Sequence, residues 1–162
     1  MSDASEPTGT DVFVAGGDGV HTYRIPALLA APGGTLLAFC EARKVSLHDA
    51  SPTDLVLKRS HDGGRTWLPM QVLLRGHDTQ AFMNPCPLVD GDTILLVCLE
   101  AHAKANRRHR HLLLRSADDG QTWSEPEELD GCIAPYDDTF VPGPGVSICT
   151  RGGRLIVPGY TN

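Results

Sequence analysis

The chain has 162 residues, enough for one domain with a real core, and is 41% hydrophobic and 21% charged. Its formal net charge of −6 argues against nucleic acid as the main partner. No apolar run approaches the ~18 residues that a membrane helix requires, while 17 glycines and 12 prolines suit many turns between short strands.

Residues 1–10 are polar and acidic, without an apolar stretch or a basic residue. They read as a disordered tail and not as a secretory signal. The five cysteines, at 40, 86, 98, 132 and 149, are odd in number and include no Cys-x-x-Cys pair. Free thiols in a reducing, cytoplasmic setting are expected. Residues 11–162 read as one domain that is only partly present.

Val12-Phe13-Val14 is predicted as a short strand and Gly16 to Gly19 as a turn. In Thr22 to Leu29, Pro26 cannot donate to a ladder, which sets Arg24 at a strand's mouth or edge. Pro32-Gly33-Gly34 turns the chain into a buried strand, Thr35 to Cys40, ended by Glu41-Ala42-Arg43. Lys44 to Pro52 is a polar loop, and Asp54 to Arg59 is again a strand.

That strand enters Ser60-His61-Asp62-Gly63-Gly64-Arg65-Thr66-Trp67, which has the parts of a complete turn. Ser and Asp accept from the backbone, glycine permits left-handed angles, and Trp67 anchors the corner. Met70 to Leu74, Phe82 to Val89 and Thr93 to Leu99 are the next predicted strands, and a basic loop, 102–111, follows. Strand 112–115 then enters Ser116-Ala117-Asp118-Asp119-Gly120-Gln121-Thr122-Trp123, 56 positions after the first copy. Both copies fit Ser-x-Asp-x-Gly-x-Thr-Trp, so Ser60, Asp62, Gly64, Thr66 and Trp67 match Ser116, Asp118, Gly120, Thr122 and Trp123. A structural corner explains them better than metal ligation or catalysis, because each turn consumes its own polar groups. A third unit begins near Asp137 and includes the strand Arg154 to Pro158.

Four strands per ~55 residues, with no helical period between them, is the grammar of a β-propeller blade. A β-sandwich is the alternative, but it does not require the same elaborate turn at the same place in every unit. Fewer than three blades are counted and a propeller needs at least four, so the sequence reads as a fragment of a longer protein.

Several residues have chemistry to offer. Arg24 is either a surface arginine or a planar, bidentate grip for a carboxylate. Asp49 is either a solvated loop acid or a general acid tuned by partial burial and by His48. Glu41 and Arg43 end a strand, where an ion pair is the simplest reading. Lys104, Arg107, Arg108, His109, Arg110 and His111 lack the interleaved aromatics of a nucleic-acid surface. Cys98 with His102, His109 and His111 meets no standard zinc spacing. No metal or cofactor is expected.

Tyr23-Arg24-Ile25-Pro26 resembles the Tyr/Phe-Arg-Ile-Pro motif of the exo-sialidases (neuraminidases), and the repeated turns resemble that family's Asp boxes. Met83-Asn84-Pro85-Cys86-Pro87, Val141 to Gly145 and Leu155 to Tyr160 are similar to segments of the cytosolic and membrane-associated animal sialidases. The likeness spans about 12–162. It implies an all-β, six-bladed propeller, of which this chain covers roughly the first two to three blades. The implied activity is removal of terminal sialic acid from glycoproteins, gangliosides or oligosaccharides with retention. The partner would be a sialylated glycoconjugate, and the resemblance is compatible with peripheral membrane association of the full-length protein. A non-catalytic Asp-box propeller that binds a glycan or a peptide is the alternative. By resemblance, Arg24 grips the sialic acid carboxylate and Asp49 is the acid/base. Arg43 supports the pocket beside Glu41, Met83 and Asn84 line it, and Tyr160 lies on the glycerol side. Two further arginines, the nucleophilic tyrosine and its glutamate have no counterpart in these residues, so the fragment alone is expected to be inactive.

Overall fold

The computed structural model describes residues 9–49, 51–102, 109–129 and 140–161. The predicted roles of Lys104, Arg107, Arg108 and Cys132, the start of the third unit at Asp137 and most of the 1–10 tail lie outside the described residues. Cys40, Cys86, Cys98 and Cys149 are free thiols.

Two consecutive four-stranded antiparallel units account for most of the chain. The first comprises β1 (Thr22–Ala30), β2 (Leu36–Arg43), β3 (Thr53–Ser60) and β4 (Gln71–Leu74). The second comprises β5 (Gln80–Asp90), β6 (Thr93–His102), β7 (Arg110–Ser116) and β8 (Glu127–Glu128). A single parallel pair, Thr53 with Ala81, joins them. A third unit is begun by β9 (Phe140–Pro142), β10 (Ile148–Cys149), β11 (Leu155–Ile156) and β12 (Gly159–Thr161). β9 pairs with β12 and β10 with β11, so the four segments form one interrupted hairpin.

Strand alternation builds the interface between the first two units. Leu37 and Phe39 of β2 and Leu55 and Leu57 of β3 share one core with Ile94 and Leu96 of β6 and Leu112 and Leu114 of β7. All are essentially buried, and each such side chain contributes roughly 1.5–3 kcal/mol. The opposite face of the second unit, with Cys86, Leu88, Leu95 and Val97, receives Cys149 and Val157 of the third.

Each inner strand breaks register at the same place. The ladder shifts between Arg24 and Ala27 in β1 and between Met83 and Cys86 in β5. Ile25 (φ 52°), Asn84 (φ 55°) and Gly143 (φ 71°) are left-handed, stand 59 positions apart, and each precedes a proline. A left-handed angle is costly for a β-branched residue such as Ile25, so surrounding structure must hold it. The recurring proline, which cannot donate, sits where the ladder has already been interrupted.

Val12 to Val14 is not a strand. Among the described residues no strand pairs with it. Phe13 instead lies on Tyr23, with ring centroids 5.0 Å apart, and helps cover the face formed by Val20, Cys40, Ala42 and Val56.

The two repeated turns are closed alike. Ser60 Oγ donates to Asp62 Oδ1 at 2.8 Å and accepts from the Gly64 N–H at 2.9 Å. Asp62 accepts from the Thr66 N–H at 2.9 Å and from the Thr66 hydroxyl at 2.6 Å. The Ser116–Thr122 copy has 2.8, 3.0, 2.9 and 2.5 Å at the same four bonds. These donors hold the Asp62 carboxyl well below the usual range and bring Asp118 from 3.8 down to about 2.

A carboxylate whose folded pKa is depressed contributes stability above its unfolded pKa and loses it as pH falls toward the folded value. Asp118→Asn in the full-length protein is therefore expected to lower stability near neutral pH. That deficit shrinks as pH falls below 3.8 toward about 2. Urea midpoints of both proteins between pH 5 and pH 3 check this; a deficit that is constant over the range would show that the charge is not what the turn uses.

Candidate active site

The end of β2 carries a charged pair inside the protein. Glu41 and Arg43 are 0% and 1% exposed. Arg43 donates to Glu41 Oε2 through Nη2 at 2.8 Å and Nε at 3.1 Å, a two-point grip. Burial pushes the Glu41 carboxyl up, while the Asn84 N–H and the Arg43 guanidinium pull it back. Its other oxygen, Oε1, accepts from the Asn84 backbone N–H at 3.0 Å. Asn84 is the left-handed residue of β5, so a side chain of the first unit satisfies the exceptional backbone of the second.

The same guanidinium organises the following loop. Arg43 donates to the Leu47 carbonyl, and its Nη2 lies 2.6 Å from Asp49 Oδ1. Asp49 is 72% exposed at the side chain, against 1% for its partner. Arg43 thus spends its buried end on Glu41 and presents an open carboxylate to solvent. Lys44 secures the base of the loop through the Gly76 carbonyl and Asp54, each at 2.7 Å.

Arg24 stands directly opposite Glu41 in the β1–β2 register and is exposed. Met83, half-buried, adjoins Asn84 in β5. The Asn84 side chain donates to the Pro142 carbonyl of β9 at 2.8 Å. Tyr160 of β12, 48% exposed, pairs with Val141 beside it. Arg24, Glu41, Arg43, Asp49 and Asn84 therefore belong to one end of the first two units, and Tyr160 connects to them through β9.

The ion pair expected of Glu41 and Arg43 forms, and Asn84, expected to line the pocket with Met83, lies beside it. Glu41, Arg43 and Asn84 are buried, with their polar atoms committed to protein partners. They hold the site from behind. A charge at a strand end reads as exposed in a sequence, and the neighbouring unit that buries it is not visible there. Arg24, Asp49, Met83 and Tyr160 keep accessible surface.

A second cluster was missed. Glu100, 1% exposed, accepts from Gln80 Nε2 at 2.7 Å, lies 3.0 Å from His102 Nε2 and pairs with Arg110. Glu followed two residues later by a basic side chain at the end of an apolar strand was the available signal, shared with Glu41 and Arg43. His111 spends Nε2 on the Phe140 carbonyl at 2.9 Å.

Removing one partner of a buried pair leaves an uncompensated charge, which costs about 3–5 kcal/mol. Arg43→Ala is expected to destabilise the full-length protein by about that amount. Adding Glu41→Gln should recover most of the loss, since a neutral amide still accepts from Asn84. Urea unfolding of both variants measures this, and a single variant within about 1 kcal/mol of wild type would contradict the interpretation.

The family of BNR repeat-like domains matches residues 34–162. Mouse Sialidase-3 is 37% identical over 161 residues, covering 86% of this chain and 38% of that protein. The Exo-alpha-sialidase of Arthroderma benhamiae is 30% identical over 176 residues, covering 90% and 42%. Hadza microbial sialidase Hz136 superposes with a TM-score of 0.77 at 30% identity, over 88% of this chain and 33% of that one. Trypanosoma rangeli sialidase in complex with sialic acid shares the fold, with a TM-score of 0.71 at 24% identity over 86% and 26%. This chain spans less than half the length of the curated relatives it matches. The repeated units are those of a sialidase-like β-propeller, present in part. With that family matching most of its length, the chain belongs to the BNR repeat-like domain family.

Proposed function

We propose that the full-length protein is an exo-α-sialidase, a retaining glycoside hydrolase on a six-bladed propeller, and that this chain supplies its first two blades and part of a third. The observation that carries this reading is the Arg43–Asp49 pair, which holds an open carboxylate at the blade end where Arg24 also stands. Similarity to proteins named as sialidases supports it.

In this reading Arg24 grips the carboxylate of a terminal sialic acid. Asp49 protonates the departing glycosidic oxygen and later activates water. Arg43 is a positioning residue for the acid, and Glu41 is a positioning residue for Arg43. Met83 and Tyr160 line the pocket, with Tyr160 on the glycerol side. Asn84 shapes the pocket wall through its backbone. The attacking group, a tyrosine activated by a glutamate, comes from later blades. A neutral nucleophile avoids repulsion with the substrate carboxylate, and sialidases depart in this way from the two-carboxylate scheme.

The first test is hydrolysis of a fluorogenic sialoside by this 162-residue chain and by the full-length protein. Activity in the full-length protein alone is expected. A folded full-length protein that binds sialosides without cleaving them would favour a non-catalytic glycan-binding propeller.

In the full-length protein, Asp49→Ala is expected to cut turnover of natural sialosides by about 10²–10⁴, the usual contribution of a general acid. The loss should be smaller on aryl sialosides, whose leaving group needs less protonation. Near-normal turnover on both substrates would remove Asp49 from the acid role.

A further inference from the structure

The first two units do not close completely on each other. Between β4 and the second repeated turn lies a cavity of about 450 Å³. That volume is within the ~300–1,000 Å³ of small-molecule sites. Leu73 and Trp123 contribute apolar wall, and Gln71, Arg75, Gln80 and Glu125 contribute polar groups. The indole N–H of Trp123 already donates to the Gly120 carbonyl at 3.1 Å, so the ring has only carbon to offer. The polar groups are mostly acceptors. Gln71 Nε2 donates to the Gln121 carbonyl at 3.3 Å, and Gln80 Nε2 donates to Glu100 at 2.7 Å. Each amide is oriented by its nitrogen, and its Oε1 has no partner among the described residues. Glu125 adds an exposed carboxylate. Arg75, 60% exposed at the side chain and 3.8 Å from Asp54 Oδ2, is the one cation on this wall among the described residues.

We propose that this cavity binds a neutral pyranose sugar, whose hydroxyls donate to Gln71, Gln80 and Glu125 and whose C–H face lies against Trp123. The wall itself selects among ligand classes. An anion would meet three acceptors, with one exposed guanidinium to offset them. An organic ammonium would be repelled by Arg75. A purely apolar ligand would cover the acceptors without pairing them, which is costly. No group of three metal-ligating side chains lies there among the described residues. A sugar has several O–H donors for the acceptors, a hydroxyl oxygen for Arg75 and an apolar face for the indole. None of Arg24, Asp49, Met83 and Tyr160 lines the cavity, so nothing here depends on Asp49 being the acid.

The test is a ligand-observed NMR titration of the full-length protein with lactose, which has two neutral rings and no carboxylate for Arg24. The wild type is expected to bind with a Kd of about 1–10 mM, the scale of a single-ring contact. Gln71→Ala combined with Glu125→Ala should weaken binding by about 10-fold or more, since two acceptors are lost. Should the double variant not fold, Glu125→Ala alone, at an exposed position, is expected to weaken binding by about threefold or more. Glu125→Gln keeps an acceptor in place and should stay within about twofold of the wild type. A wild type that does not bind lactose at ~50 mM, or a folded alanine variant that binds it as tightly as the wild type, overturns the proposal. Displacement of lactose by free sialic acid would place it at the Arg24 end and also overturn it. Tighter binding of choline than of lactose would make the cavity a cation site, with the same consequence. The titration requires no turnover, so a full-length protein that binds lactose in this way without cleaving sialosides supports the sugar site and overturns the sialidase reading alone.

Discussion

A carboxylate taken out of water must have its lone pairs satisfied, or the fold that buries it is lost. Glu41 meets this condition only because two units of the protein are assembled around it. One oxygen is gripped by Arg43 of its own strand, and the other accepts from Asn84 of the next unit. The Asn84 side chain then donates to Pro142 of the third. Three successive units are thus connected through one acid and one amide. The strained left-handed backbone at Asn84 is the point at which they meet. The same acid fixes Arg43, and Arg43 fixes the Asp49 loop. Interlocking of the units and orientation of the candidate acid are consequences of a single constraint.

The repeated turns do similar work at the other end of the units. Within each turn the polar groups satisfy one another, as their composition implied. The second copy goes further and grips the unit before it. Asp119, outside the five shared positions, accepts from the Gly33 N–H and from the Thr35 hydroxyl, each at 3.1 Å. Gly120 approaches β2 so closely that a Cβ there would lie 2.9 Å from Leu37 Cδ2. Glycine is required there both by its left-handed φ of 76° and by this approach. Trp123 continues the contact, edge-on to Phe39 with centroids 5.8 Å apart. A turn that reads as a hairpin corner is therefore also a joint between blades.

How much of this was legible depended on whether the cause was local. The corners were, because Ser, Asp, Gly and Thr at fixed offsets bond within eight residues of chain. The inner strands were, because apolar runs bounded by glycine and proline have few other uses. Val12 to Val14 failed because three β-prone residues form a strand only against a partner, and none among the described residues pairs with them. The exposed members of the candidate site, Arg24 and Asp49, came through resemblance of motif. The pairing of Glu41 with Arg43 was legible from their place at a strand end, but the burial of Glu41, Arg43 and Asn84 was not, since what covers them is remote in sequence. Glu100 was not legible, because the Gln80 and Arg110 that satisfy it stand on the two neighbouring strands.

Glu41 and Glu100 also show why spacing alone misleads. They stand 59 positions apart, the same interval that separates Ile25 from Asn84, and each precedes a basic residue by two. Sequence spacing makes them equivalent. The ladders do not. Tyr23 faces Ala42 across the first hairpin, and Phe82, 59 positions on, faces Glu100 across the second. Glu100 therefore occupies the place of Ala42, one residue out of step, and a step of one reverses the face of a strand. Glu41 lies on the face of β2 that carries Leu37 and Phe39, toward the second unit. Glu100 lies on the face of β6 that carries Ile94, Leu96 and Cys98, toward the first. The two acids are opposite walls of one interface, and the single-residue offset between successive hairpins brings them there. Arg43 gives the first wall its cation, and Arg110 gives the second its own, beside His102. Both walls lie at the end of the sheet from which the Asp49 loop projects, so the interface that holds the blades together also supports the candidate acid.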